Sequence, residues 1–158
     1  MYRILLATFF LLGVLSINGC SDKNIIMNKH HNIAEFKWYF TDKIIFTTNI
    51  EDTAIKYKTN IYIRHTNNYK YSNLFFLVTT VSPSNNKQTY RCEYPLANKD
   101  GLWYGSNTSN LYTVSLPIEQ LSHFNEPGTW KFIIEQNMRD DTLLEVTDVG
   151  IIIKKDTK

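Results

Sequence analysis

The sequence predicts an all-β chain folded as a single β-sandwich, of jelly-roll or immunoglobulin-like topology. Three observations carry this. From residue 38 onward, apolar and polar residues alternate in short runs, the period of half-buried strands. Turn clusters separate those runs: SPSNN, NKDG, NEPG and RDD. No stretch carries a long amphipathic helical period, so no helix is on hand to cover a sheet, and two sheets must cover one another.

The elements follow in order. Lys43 to Ile50 alternates, with Ile44, Phe46, Thr48 and Ile50 on one face. Tyr57, Thr59, Ile61 and Ile63 share a face, and His65 has the same parity, which predicts a satisfied histidine at a strand end. Leu74 to Val81 is apolar on both faces, as in a central strand. Gln88 to Tyr94 alternates again and puts Cys92 on the apolar side with Tyr90 and Tyr94. Leu111 to Leu116 is a strand stopped by Pro117, and Ile118 to Phe124 suits a helical turn. In NEPG, Pro127 presets φ and Gly128 is free to take the positive φ that a type II turn needs. Trp130, Phe132, Ile134 and Gln136 then form one face of a strand, and Val149, Ile151 and Ile153 close the chain as the last one.

Two segments precede the strands. Residues 1–19 read as a secretory leader: Arg3, then an apolar stretch from Ile4 to Leu15, too short for the roughly 20 residues of a membrane span. The leader ends in Ile17-Asn18-Gly19-Cys20, which resembles the bacterial lipobox. That resemblance implies diacylglycerol on the Cys20 thiol, cleavage before Cys20 and acylation of the freed amine. Two or more acyl chains suffice for stable anchoring, at about 0.8 kcal/mol per buried methylene. Ser21, in place of an aspartate, resembles the outer-membrane sorting signal of Gram-negative lipoproteins. Residues 20–35 show no sustained period and read as a lipidated tether, leaving 36–158 as the sandwich domain.

Charge and cysteine content exclude several functions. The whole chain is +2, and the leader carries only Arg3, so the remainder is +1. This balance gives no case for nucleic acid, which calls for a clustered basic face. With Cys20 alkylated, Cys92 has no partner in the chain and reads as a small buried hydrophobe. No zinc-protease, serine-hydrolase, phosphate-loop or dinucleotide motif occurs, so no catalytic residue, metal or cofactor is expected. His30 and His31 would point apart in an extended chain, and His123 lacks a carboxylate at useful spacing. Asp140, Asp141, Glu145 and Asp148 read as a solvated hairpin end, short of the oxygen cage that calcium needs.

Two features point to surface roles. Trp103 and Tyr104 lie in KDGLWYGSN beside two glycines, where they either stack sugars or pack a loop onto the core. Asp52-Thr53-Ala54 and Asp141-Thr142-Leu143 resemble an O-glycosylation acceptor of Bacteroidetes-type bacteria, making Thr53 and Thr142 candidate acceptors at predicted turns.

Several stretches together resemble one family. They are Trp38, RHTNNYKYSNLFFLV (64–78), EYPLANKDGLWYG (93–105), EPGTWKFIIEQNMR (126–139) and VTDVGIIIKK (146–155), following the lipobox cysteine Cys20. Their order and spacing resemble the gliding-motility lipoproteins called GldH. DDTLLEV departs from the pattern, standing where such proteins often have a glycine-containing turn. The resemblance implies a non-enzymatic envelope lipoprotein that serves gliding and the linked secretion machinery, with protein partners in the envelope and no catalytic residues. A lipid-anchored carbohydrate-binding module built on Trp103 and Tyr104 is the alternative.

Overall fold

Alternation along the chain decides which face of each strand is buried. In β4 (Tyr57–Thr66), Tyr57, Thr59, Ile61, Ile63 and His65 are buried, while the residues between them are exposed or half-buried. The same rule operates in β3 (Ile44–Ile50), β5 (Asn73–Val81), β8 (Leu111–Pro117) and β9 (Gly128–Gln136). The structure, a computed structural model, describes residues 23–157. The remaining strands are β1 (Ile25–Asn32), β2 (Lys37–Tyr39), β6 (Lys87–Pro95), β7 (Ser106–Thr108), β10 (Thr142–Leu144) and β11 (Val146–Lys155).

These strands form an all-β sandwich. One sheet has the order β1-β11-β4-β8-β7 and the other β3-β9-β5-β6, with a two-stranded ribbon, β2 with β10, beside them. Every pairing is antiparallel. The inner faces meet through Ile61, Ile63, Val149, Ile151 and Ile153 on one side and Phe46, Phe76, Val78, Phe132 and Ile134 on the other. Each such side chain contributes roughly 1.5–3 kcal/mol by leaving water. Trp38, Leu96, Leu121, Phe124 and Leu143 complete the same core. Among the described residues, Glu119–Leu121 is a single 3-10 turn, Ala34–Phe36 is a tight turn with positive φ at Glu35 and Phe36, and no helix is long and apolar enough to cross a membrane.

Gly128 takes the positive φ the sequence allows it, but as the first residue of β9, opposite Ile50, and not at the roughly +80° of a type II turn. Gly128 has φ +126°, and an added Cβ there would stand 2.9 Å from Pro83 Cγ. β7 and β8 are joined by Ser109-Asn110, both with positive φ, the type I′ geometry that suits a two-residue hairpin.

Two expectations need correction. The stretch 20–35, expected to be a tether, contains β1, which pairs with β11 from Ile25↔Lys154 to Asn32↔Asp148. The reason is that β1 is an edge strand whose residues 28–32 are all exposed. Its backbone ladder, not a buried side-chain face, holds it, so it shows no hydrophobic period. Second, Thr142 does not sit in a turn. It begins β10, opposite Tyr39, because the DDTLLEV segment pairs with β2.

Candidate functional site

Trp103 and Tyr104 lie in the loop between β6 and β7. Asn98 Oδ1 accepts from the backbone N–H groups of Asp100 and Leu102, each at 2.9 Å, and closes the turn. Gly105 brings the chain back against β8: at φ +88°, a Cβ there would lie 2.1 Å from the Thr113 carbonyl oxygen. The result is to fold Trp103 onto the sheet. Its ring meets His65 edge-on at 4.6 Å, flanked by Tyr69 and Tyr112, and its Nε1–H donates to Asn67 Oδ1 at 3.1 Å. Trp103 is half-buried and Tyr104 exposed. Thus Trp103 packs a loop onto the sandwich.

His65, beneath it, is fully buried, as its parity predicts. Its Nδ1–H donates to the Thr66 carbonyl at 2.9 Å, which leaves Nε2 bare. Nε2 has no hydrogen-bond partner among the described residues, so the histidine is only half satisfied. Burial pushes its pKa below the ordinary value.

The other sequence-named residues are dispersed. Cys20 lies outside the described residues. Thr53 is exposed in the β3–β4 loop, where Asp52 Oδ1 accepts from Ala54 N–H at 2.9 Å. Thr142 is half-buried. Cys92 is buried, and burial raises its thiol pKa. Three of the four acidic residues have separate side-chain partners. Asp140 accepts from Tyr71 Oη, Glu145 from Thr66 Oγ1, and Asp148 meets Arg64 at 3.5 Å. Among the described residues, no group of three or more His, Cys, Asp or Glu side chains could hold a metal ion.

One surface was not legible as a site in the sequence. The β2–β10 ribbon turns Trp38 and Leu143, which pair across it, into the core. Trp38 Nε1–H donates to the Asp42 carbonyl at 3.2 Å. Alternation then puts Lys37, Tyr39, Thr142 and Leu144 on the outer face. Tyr39 is 45% exposed and Leu144 53%; the flanking Phe36 and Phe40 are 48% and 55% exposed. Four of the seven large exposed hydrophobic side chains among the described residues therefore sit on this one ribbon. Backbone bonds close its two ends, Glu145 N–H to Phe36 O at 2.8 Å and Phe40 N–H to Asp141 O at 2.9 Å.

The ribbon is also strained. Glu35, Phe36 and Glu145 all have positive φ without being glycine. Glu35 and Phe36 are the central residues of a tight turn closed by Lys37 N–H to Ala34 O, as Asn85, Ser109 and Asn110 are turn residues elsewhere, but a bulky aromatic is the least suited of these to a positive φ. Left-handed conformations of non-glycine residues cost of order 1–3 kcal/mol and cluster at functional surfaces. Apolar patches rimmed by polar residues mark interaction sites. Here the rim includes the Glu35–Lys37 ion pair at 2.7 Å.

Comparison with known proteins agrees with the sequence resemblance. A protein of Christiangramia forsetii described as a gliding motility lipoprotein GldH homolog is 28% identical over 153 residues, covering 92% of this chain and 93% of its own. The gliding motility lipoprotein GldH of Flavobacterium johnsoniae is 26% identical over 160 residues, covering 97% and 98%. Among solved structures, the infectious bursal disease virus VP2 subviral particle overlaps 85% of this chain and 33% of its own, at 14% identity and a TM-score of 0.35, a likeness too slight to carry an argument. Residues 25–153, from the first strand into the last, match the family described as GldH lipoprotein, and the chain belongs to that family.

Proposed function

We propose that this protein is a lipid-anchored, non-enzymatic subunit of the cell envelope that supports gliding motility and its associated secretion machinery by binding partner proteins. Family membership supports the setting, since both relatives carry the name of gliding motility lipoprotein. The observation that carries the interaction role is the strained ribbon with Phe36, Tyr39, Phe40 and Leu144 on its surface. Acyl chains on Cys20 would hold the chain in the outer membrane. The ribbon suits that arrangement. It adjoins the Asn32 end of β1, where Ile33 N–H donates to Thr147 O, whereas the anchor precedes the Ile25 end. β1 spans roughly 23 Å at about 3.3 Å per residue, so the ribbon stands off from the lipid.

The test is affinity capture of the tagged full-length protein from crosslinked envelopes. Wild-type protein should recover a discrete partner. The Phe40→Asp/Leu144→Asp variant should lose it at unchanged abundance and melting temperature. Equal recovery by both proteins would refute the ribbon as the working surface.

A further inference from the structure

The outer face of the five-stranded sheet carries a groove of about 300 Å³, remote in role from the ribbon and from Trp103. Its floor is made by a missing side chain. Gly150 of β11 pairs with His30 on β1 and with Tyr62 on β4, so an imidazole and a phenol stand on either side of a bare position. Gly150 is not in the left-handed region, so its backbone does not demand glycine. What demands it is space: an added Cβ would stand 2.9 Å from the Lys29 carbonyl oxygen and 3.2 Å from His30 Cβ. A glycine inside a strand weakens it, and marks a place where another group comes close.

The neighbouring row supplies fixed polar groups. Arg64 donates from Nε to Thr113 Oγ1 at 3.1 Å and sets Nη1 3.5 Å from Asp148 Oδ2. Asp148 Oδ2 also accepts from Thr147 Oγ1 at 2.8 Å. Arg64 and Asp148 both line the groove, and these bonds leave Asp148 Oδ1 and guanidinium N–H groups to spare. Asn28 lines its far end, and the Lys29 ammonium is turned away, donating to the Thr47 carbonyl at 3.2 Å.

The chemistry selects the ligand. Arg64 and Asp148 neutralise each other, so neither an anion nor a cation finds an unbalanced charge. What remains is a small set of adjacent donors and acceptors beside the Tyr62 ring and the His30 imidazole. A hydroxyl both gives and takes a hydrogen bond, and the apolar face of a sugar ring lies flat on an aromatic one. The volume is at the small end of ligand pockets, about 300–1,000 Å³. We propose that this groove binds a neutral saccharide unit, with Tyr62 as the stacking surface and Arg64 and Asp148 as the hydroxyl-binding pair. The proposal is independent of the ribbon and of partner binding.

The test is calorimetric titration of the full-length protein in detergent micelles with chitohexaose, maltohexaose and mannohexaose, alongside inorganic phosphate. Saturable binding of at least one hexasaccharide is expected. It should weaken about tenfold or more, the loss of roughly one good contact, in Tyr62→Ala and in Asp148→Asn. Tyr62→Phe keeps the ring and should keep the binding, which separates stacking from folding. Trp103→Ala should bind as the wild type does. No binding by any hexasaccharide, binding that survives both Tyr62→Ala and Asp148→Asn, or phosphate competing for the groove would overturn the proposal.

Discussion

His65 is an imidazole buried among Tyr69, Trp103 and Tyr112, with Nε2 lacking a partner among the described residues. Arg64 precedes it on β4, and Glu145, bonded to Thr66, precedes its β11 partner Val146. Its folded pKa lies below the unfolded value of about 6.5. The unfolded chain therefore binds more protons as pH falls, and stability is full above about pH 6.5 and declines below it toward the folded value. The slope for one proton is at most about 1.4 kcal/mol per pH unit. His65→Phe removes that proton, so its unfolding free energy should fall less than that of the wild type between pH 7 and pH 5. Equal acid losses in chemical denaturation would show that His65 does not titrate on unfolding. Cys92 offers a second check at this scale. Buried, with a raised pKa, it should react slowly with a thiol reagent in the native state and fast in denaturant. Strand parity made the burial of both residues legible in the sequence. The empty Nε2 was not, because the three rings around it come from three separate segments.

The β2–β10 ribbon divides its residues between stability and recognition. Trp38 is fully buried, so Trp38→Ala should cost about 3–5 kcal/mol and lower the melting temperature sharply. Leu144→Asp, on the outer face, should leave melting nearly unchanged, as surface substitutions usually fall within about 0.5 kcal/mol. A thermal scan in which both variants melt alike would contradict the face assignment. The long strands β3, β4, β5, β6, β8, β9 and β11 were legible because each buries one face or lies centrally. The short strands β2, β7 and β10 were not, since three residues are too few to show a period. β1 was hidden by its exposed edge. The ribbon escaped for the same reason: Phe36, Tyr39 and Phe40 form one exposed surface with Leu144 only once β10 is placed beside β2.

At the scale of the whole molecule, the proposed arrangement is a sandwich tethered at one end and recognising at the other. The lipobox makes a direct prediction. Cys20→Ala should abolish incorporation of labelled palmitate and stop lipoprotein-type cleavage, while the domain still folds; persistent labelling would place the lipid elsewhere. If the ribbon binds a protein partner, site-specific photo-crosslinking in intact cells will capture it. A photoreactive residue is placed in turn at Phe36, Tyr39 and Phe40, and at Thr89 and Lys131, exposed positions on the other sheet. One discrete protein adduct is expected, shared by the three ribbon positions and absent from Thr89 and Lys131. No adduct from the ribbon, or the same adduct from all five positions, would contradict partner binding by the ribbon.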